Sequence, residues 1–565
     1  MKKLLLALFA LALMFVITAC GGESDITTNA PAPTTADSDV LVDSEVAALL
    51  AEWNLPAPRF TPDGDIPSWQ QDQDHFVEIT WYVNFGWWSL FPFGEDLVTR
   101  VAREELGINI TFLHGDDDNL NMMLAGGDLP DIITMAGGNP LTREAHNFAF
   151  PLDVLSQVYD PYFLNHVAPI QVVNWHSLAD GHFYGMPNDA MSEDAIVAGY
   201  AWNNAGFLVR GDIYDAIGPV DMTTPEGFLD ALRAAKEFAP ETDHGVPLVA
   251  FAGHAMDIVA GEDGAFGSLL QDFLAIPVTD ANGDWYDRDA DSEYLEWLLV
   301  FRQAMEEGLM NNDQFSDDGA LMQERFGLGT YFAYMTPNTF DTSWILPEIA
   351  ARNPQQMYNA ISGPRNRAGD DHTLPAGSLA GWTQTFVTLG SSDPQTAMQV
   401  ITYFASDHGT SLALFGVEGE TFDWVDGLAV MRPEVEELRL TDPDQFDAEY
   451  GIGRYWMLRS LEFANAAGNL PTGHHATHVE FAQQFNHARL EFSELDPLEG
   501  QIQRDVSNLG VARTQAIVAV IQAPDDVTAT QIWQDFLASR ADFGFDEITE
   551  YRNNRLQENR QRLGQ

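Results

Sequence analysis

The chain has 565 residues, 85 of them acidic and 27 basic, for a formal charge of −58. Such a field repels nucleic acid and anionic lipid, and the sequence offers no basic groove to track phosphates. One cysteine excludes an internal disulfide framework, so stability rests on packing, for which 45% hydrophobic residues and 14 tryptophans are ample; the length fits two to four domain-sized units or two large lobes.

Lys2 and Lys3 precede an apolar run over residues 4–17, which ends in Ile17-Thr18-Ala19-Cys20. A basic start, a short apolar core and small residues before a cleavage point describe a signal peptide over residues 1–19. The only cysteine falls on the box, which resembles that of bacterial lipoproteins. The resemblance implies cleavage before Cys20 and a diacylglyceryl thioether on its sulfur, leaving the mature chain on the extracytoplasmic face of the cell membrane. No later run approaches the ~20 apolar residues needed to span a bilayer. Residues 20–75 then form a lipid-anchored tether, with Gly, Ser, Thr, Pro and Ala dominating 21–41, a short helix over 44–53 and a loop over 56–74. Beyond the signal, Lys236 is the only lysine and every other base is arginine. Carboxylates hold hydration in strong salt and arginine stays charged at high pH, so a salt-loving or alkaline habitat is expected.

From residue 76 the pattern becomes that of a folded domain. Residues 77–83 read as a buried strand, followed by a loop holding Phe85, Trp87 and Trp88. A helix over 95–106 stops at Gly107, the expected C-terminal glycine. Strands follow over 108–112 and 131–135, with a helix starting at 120 between them. Alternation of this kind predicts parallel βαβ units. A strand over 207–210 precedes a helix to 238, opened by Thr224 as N-cap and Pro225 in the first turn. A helix over 293–307 ends at Gly308, a strand covers 382–389, a helix 394–406, and the tail holds helices over 530–540 and 545–560. No internal repeat is visible.

Five segments then occur in a telling order. They are Met122-Met123-Leu124-Ala125-Gly126-Gly127-Asp128-Leu129-Pro130-Asp131-Ile132-Ile133, Tyr184-Gly185-Met186-Pro187, Leu208-Val209-Arg210-Gly211-Asp212 running on to Thr224-Pro225-Glu226, Glu307-Gly308-Leu309, and Phe415-Gly416-Val417-Glu418-Gly419-Glu420-Thr421-Phe422. In this order they resemble extracellular solute-binding proteins (family 1) of ABC transporters, in the large lipoprotein branch that includes alginate- and other oligosaccharide-binding proteins. The resemblance runs from about residue 76 to the C-terminus. It implies an α/β, two-lobed periplasmic-binding-protein-like fold (type II) with a hinge between lobes. The implied layout gives 76–202 and 333–390 to the first lobe, and 203–332 and 391–565 to the second. It also implies a calcium loop that this chain has no room for, since residues 240–247 are too short for a twelve-residue acid ladder. Asp280-Ala281-Asn282-Gly283-Asp284 reads as a hairpin turn instead.

The implied function is capture of a solute, an oligosaccharide or else a peptide, for delivery to ABC permease subunits by a monomer that performs no chemistry. Sugar rings present apolar faces and hydroxyl edges, so flat aromatics and planar amides are the candidates: Trp87, Trp88, Asn139, Trp202, Phe340, Trp382, Trp424 and Trp456. Adjacent tryptophans rarely both bury in a loop, which favours the first pair. Asp128 and Asp131 read as backbone-orienting groups. His474, His475 and His478 form a cluster in which spacing of four would put His474 and His478 on one helix face, as zinc sites use, but Pro471 and Gly473 precede them and no glutamate intervenes, so a loop is expected and no metal or cofactor. Two other readings use the same features: a surface-anchored carbohydrate-active enzyme, and a sensor feeding a membrane kinase.

Overall fold

The structure is a computed structural model that describes residues 44–72, 76–201, 203–253, 265–317, 319–469, 471–497 and 500–564. The signal peptide, Cys20 and residues 21–43 and 73–75 of the expected tether lie outside the described residues; residues 44–72 are not a tether, because Leu55 and Trp69 are buried in the core of the first sheet and Arg59 donates to Asp393 at 2.7 Å. The strands in chain order are β1 (Val77–Val83), β2 (Ile108–His114), β3 (Ile132–Ala136), β4 (Gly185–Pro187), β5 (Gly206–Arg210), β6 (Val249–Gly253), β7 (Tyr331–Thr336), β8 (Tyr358–Ala360), β9 (Leu374–Pro375), β10 (Thr383–Val387), β11 (Phe422–Val425), β12 (Leu428–Met431) and β13 (Asn486–His487).

Two sheets organise the molecule. One has the order β2-β1-β3-β10-β4, the other β6-β7-β5-β8. Both are mixed rather than parallel throughout. The βαβ units β1–β2, β1–β3 and β6–β7 are parallel, whereas β10 runs antiparallel to β3 and β4, and β5 antiparallel to β7 and β8. The reason is topological: β5 and β10 each enter their sheet after the chain has crossed from the other one, and so arrive from the opposite end.

Local chemistry sets the elements. Asp96 caps the helix Leu97–Leu106 by accepting from the Thr99 amide, and Gly107 ends it at φ 65°. Asp116 and Asn119 form a capping box, so the next helix starts at Asp117, ahead of the expected 120. Thr224 and Pro225 open the helix Pro225–Phe238 as read. Residues 280–284 form a three-residue turn with Gly283 at φ 85°, and the Asp280 carboxylate accepts from the Asn282 and Asp284 amides.

The first sheet is buried in a core with Ile79, Trp81, Ile108, Ile132, Val387 and Ile401, the second in one with Phe207, Phe251, Phe301, Phe332 and Trp533. These cores correct the layout implied by the resemblance. Residues 333–360 cannot belong to the first lobe, because β7 and β8 hydrogen-bond to β5 in the second sheet. Residues 391–458 cannot belong to the second, because Ala397, Met398, Val400, Phe446, Tyr455 and Met457 pack in the core of the first sheet. The Tyr455 hydroxyl donates to Asp96 at 2.9 Å, fixing that segment to the first lobe. The chain therefore crosses between β4 and β5, between β8 and β10, and again after residue 458. Two crossings pair with each other, β9 with β13 in parallel.

Asp131 performs the orienting role read from sequence. Its carboxylate accepts from the Thr80 amide (2.8 Å) and hydroxyl (2.7 Å), the Ser391 hydroxyl (3.0 Å), and the Ser392 amide (2.7 Å) and hydroxyl (2.9 Å). Burial alone would raise its pKa, but the bonds from Thr80 and Ser392 outweigh burial and hold it below the usual carboxylate range.

Candidate functional site

A cavity of about 630 Å³ lies between the two sheets. The first-lobe wall is Gly137 and Gly138, which follow β3, and Ala380, Gly381 and Trp382, which lead into β10. These are the loop ends where α/β clefts form. Gly381 is required here: at φ 62°, a Cβ would lie 2.1 Å from the Asn188 carbonyl oxygen. The Trp382 carbonyl accepts from the Gly137 amide at 2.8 Å, closing the two loops on each other.

Trp382 belongs to an aromatic group that continues this wall. Its indole stacks on Trp456 with centroids 4.6 Å apart and planes 25° apart. Trp87 stacks beside Trp456 at 5.8 Å and 13°, and beside Trp382 at 6.5 Å and 17°. Phe85 touches all three at 5.3–5.8 Å. Trp87 remains 65% exposed and Trp382 41%, so flat apolar faces stand in water. Trp382 is held in place by donating Nε1–H to Asp189 at 3.1 Å. Asp189 is in turn gripped by both arms of Arg459, at 2.6 and 2.8 Å. Three of the candidate residues thus come together.

The others do not join them. Trp88 is buried against Phe112 at 5.1 Å and donates to the Arg454 carbonyl, so adjacency to Trp87 misled. Asn139 caps Pro140–Asn147 and donates to Asp117 at 3.0 Å, a structural commitment next to the cavity. Phe340 is 56% exposed but lies in the second lobe, against Trp344 and His475. Trp424 packs on Phe415, Phe422 and Phe463 at the β11–β12 hairpin. Trp202 lies outside the described residues.

The histidine cluster is helical, not a loop: Gly473–Gln483 is a helix. Nε2 of His474 and Nε2 of His478 both reach the Tyr358 carbonyl at 2.6 Å, and Nε2 of His475 meets the Thr339 hydroxyl at 3.1 Å. These three Nε2 contacts pin the third crossing to the second lobe, while Nδ1 of His478 is buried without a hydrogen-bond partner. Burial takes His478 down to about 4. Among the described residues no group of three or more His, Cys, Asp or Glu is placed to hold a metal ion.

The second-lobe wall was not read from sequence. It brings Trp285, Asp287, Arg288 and Asp289 together with Glu494, Asp496, Arg513, Phe545 and Arg552. Four lining carboxylates each have an arginine: Asp287 with Arg540 (2.7 Å), Asp289 with Arg513 (2.9 Å), Glu494 with Arg143 (2.7 Å) and Asp496 with Arg552 (2.6 Å). Arg552 also lies over the Trp285 ring at 4.9 Å and Arg540 over Phe545 at 4.0 Å. The Arg143–Glu494 pair joins the lobes, since Arg143 stands in the helix after β3. The only sequence signal for this wall is the arginine content of the tail helices, which carries no position.

No protein-family model matches the chain, and no curated protein matches it in sequence. Solved structures do match in fold. An extracellular solute-binding protein from Bifidobacterium longum subsp. infantis aligns over 86% of this chain and 98% of its own, with TM-score 0.63 and 12% identity. The fold is the two-lobed periplasmic-binding-protein-like one. A Streptococcus pneumoniae ABC-transporter substrate-binding protein, FusA, in complex with kestose, shares it over 85% of this chain and 99% of its own (TM-score 0.59, 13% identity). The alginate-binding protein AlgQ2, without calcium ion, shares it over 86% and 98% (TM-score 0.58, 15% identity). In a periplasmic-binding-protein-like fold the space between lobes is a concave, partly apolar site with few polar groups, the usual form of a small-molecule site.

Proposed function

We propose that this chain is the extracytoplasmic, lipid-anchored solute-binding component of an ABC importer, capturing an oligosaccharide between its lobes. The observation that carries the reading is the near-parallel set Trp87, Trp382 and Trp456 at the edge of the inter-lobe cavity. Exposed flat rings stack on the C–H faces of sugars, while the arginine–carboxylate rim supplies hydrogen bonds to hydroxyl edges. The fold shared with FusA, an ABC-transporter substrate-binding protein, supports delivery to permease subunits. Cys20 in its box supports the lipid anchor, and no helix among the described residues is long and apolar enough to cross a membrane. The enzyme reading draws little from the cavity. A glycosidase needs one carboxyl free to donate a proton, whereas the four lining carboxylates are each tied to an arginine.

The test is calorimetric titration and thermal shift of the full-length protein against oligosaccharides and peptides, with recovery of the ligand afterwards. Ligand at a hundred times its Kd adds about 2.7 kcal/mol of stability. An oligosaccharide that binds and is recovered intact supports the reading. Cleavage would make the chain an enzyme, and binding of peptides alone would replace the sugar. Replacing Cys20 with serine should release the protein from membranes to the medium; retention would remove the anchor.

A further inference from the structure

Around the cavity six arginines (Arg143, Arg288, Arg489, Arg513, Arg540 and Arg552) are paired with five carboxylates (Asp272, Asp287, Asp289, Glu494 and Asp496). The four pairs above are one to one. Arg288 is different. Its Nη2 and Nη1 of Arg489 converge on the same oxygen, Asp272 Oδ1, each at 2.7 Å. Two guanidinium groups therefore share one carboxylate. The remaining contacts of Arg489 are to neutral groups, the Thr373 carbonyl (2.6 Å) and hydroxyl (2.7 Å). Nε of Arg288 and Nε of Arg489 are both buried without a hydrogen-bond partner. Burial, and then Arg489 and Arg513 against the pull of Asp272, push Arg288 below the ordinary arginine range, as expected for a cation crowded by cations.

Nothing across the cavity offsets this. The facing first-lobe wall is the backbone of Gly137, Gly138, Ala380 and Gly381 and the indole of Trp382. Acidic residues outnumber basic ones by 85 to 27, so carboxylates are plentiful everywhere else in the chain. An incompletely neutralised, largely desolvated guanidinium is costly unless a counter-charge completes it. Arg288 lines the cavity, so that counter-charge can come from a solute lying there.

We infer that the captured solute carries an anionic group, a carboxylate or a sulfate ester, seated against Arg288 while its sugar rings lie on the tryptophans. This rests on the solute-binding reading and narrows it. A planar guanidinium fork matches both oxyanions in geometry.

Calorimetry on the full-length protein compares four probes of equal length: tetragalacturonate, a sulfated carrageenan tetrasaccharide, maltotetraose and cellotetraose. At least one anionic probe should bind about tenfold or more tighter than the neutral ones. Arg288→Gln should erase that preference, and Arg288→Lys should restore part of it. Preference for the carboxylated over the sulfated probe, or the reverse, identifies the oxyanion. Neutral probes binding as tightly as both anionic ones overturns the inference and leaves the oligosaccharide reading standing. So does an anionic preference that survives in a folded Arg288→Gln variant. If that variant does not fold, the wild-type comparison of anionic with neutral probes decides alone. Absence of binding by every probe overturns both the inference and the reading beneath it.

Discussion

Replacing Asp131 tests whether the Gly-Asp-x-Pro-Asp segment serves the fold or the ligand. The carboxylate accepts five hydrogen bonds that tie the start of β3 to β1 and to the turn after β10. Oδ2 takes both bonds from Thr80, and Oδ1 takes the three from Ser391 and Ser392. Hydrogen bonds to a charged acceptor contribute about 1.5–3 kcal/mol each, but the serines reach solvent and recover part of theirs. The Thr80 amide and hydroxyl do so less readily. Asp131→Ala should therefore cost about 3–5 kcal/mol, and Asp131→Asn roughly half, because one oxygen survives while an amide N–H2 meets donors on the other side. For a lobe of this size that is about 2 °C of Tm per kcal/mol, hence a drop of roughly 6–10 °C for the alanine variant. Its depressed pKa gives the pH sign: this stability is present above the unfolded-state value near 4 and is lost as pH falls through the folded value. Scanning calorimetry from pH 3 to 8 should thus show wild type and Asp131→Asn converging in acid. Asp131 lies the length of β3, about 20 Å, from the cavity loop at Gly137, so solute affinity of the folded variant should stay within about twofold. A variant that keeps its Tm but loses affinity would refute this account.

Three further outcomes follow from the same structure. Trp87→Ala removes an exposed ring and should weaken binding of an oligosaccharide about tenfold while changing stability by less than about 1 kcal/mol, whereas Trp88→Ala opens a core cavity and should cost about 3–5 kcal/mol; equal effects on affinity in paired titrations and melts would undo the distinction. Asp160, pushed up to about 6 by burial despite its bond from Ser68, must lose its proton as pH rises from near 4 to 6, so stability falls across that window and Asp160→Asn should gain roughly 3 kcal/mol at pH 8 but little at pH 4; a gain independent of pH in denaturant titrations would point elsewhere. With a charge of −58, the protein should melt at higher temperature in about 1 M salt than in about 0.05 M, and a flat Tm would remove the salt-loving reading.

What was legible in the sequence is what neighbours along the chain decide. Strand β1, the Asp96- and Thr224-started helices and the stop at Gly107 follow from caps, alternation and glycine, all within a few residues. Lobe membership was not legible for 333–360 and 391–458, because strand pairing and core contacts between distant segments decide it. The site was half legible. Its aromatic wall comes from loops flanking strands that could be read. Its charged wall joins Asp289 to Arg513 across 224 residues, and only folding makes that pair. Two local cues failed for a physical reason. Trp88 turns inward because Phe112 of the neighbouring strand offers an apolar seat. Gly473 opens a helix at φ 60° instead of breaking one, which puts His474 and His478 a turn apart on one face.

The arginines are distributed in a way that gives solute capture an unusual dependence on salt. The surface is dominated by solvated carboxylates, while the cavity side of the second lobe gathers Arg288, Arg489, Arg513, Arg540 and Arg552, two of which share the single carboxylate of Asp272. An anionic solute is therefore repelled at long range by the whole molecule and held at short range by Arg288. Salt screens the two unequally. Near 0.15 M the Debye length is about 8 Å, so the long-range repulsion is largely removed while a desolvated contact inside the cavity is weakened much less. Association should then accelerate as salt rises, the reverse of ordinary electrostatic steering, and dissociation should change little. A neutral oligosaccharide on the same tryptophans should show neither trend. Stopped-flow tryptophan fluorescence, to which the Trp87–Trp382–Trp456 group contributes, measures both rates. An association rate for the anionic solute that falls with salt would mean that the field felt at the cavity mouth is positive, and that the acidic surface plays no part in access.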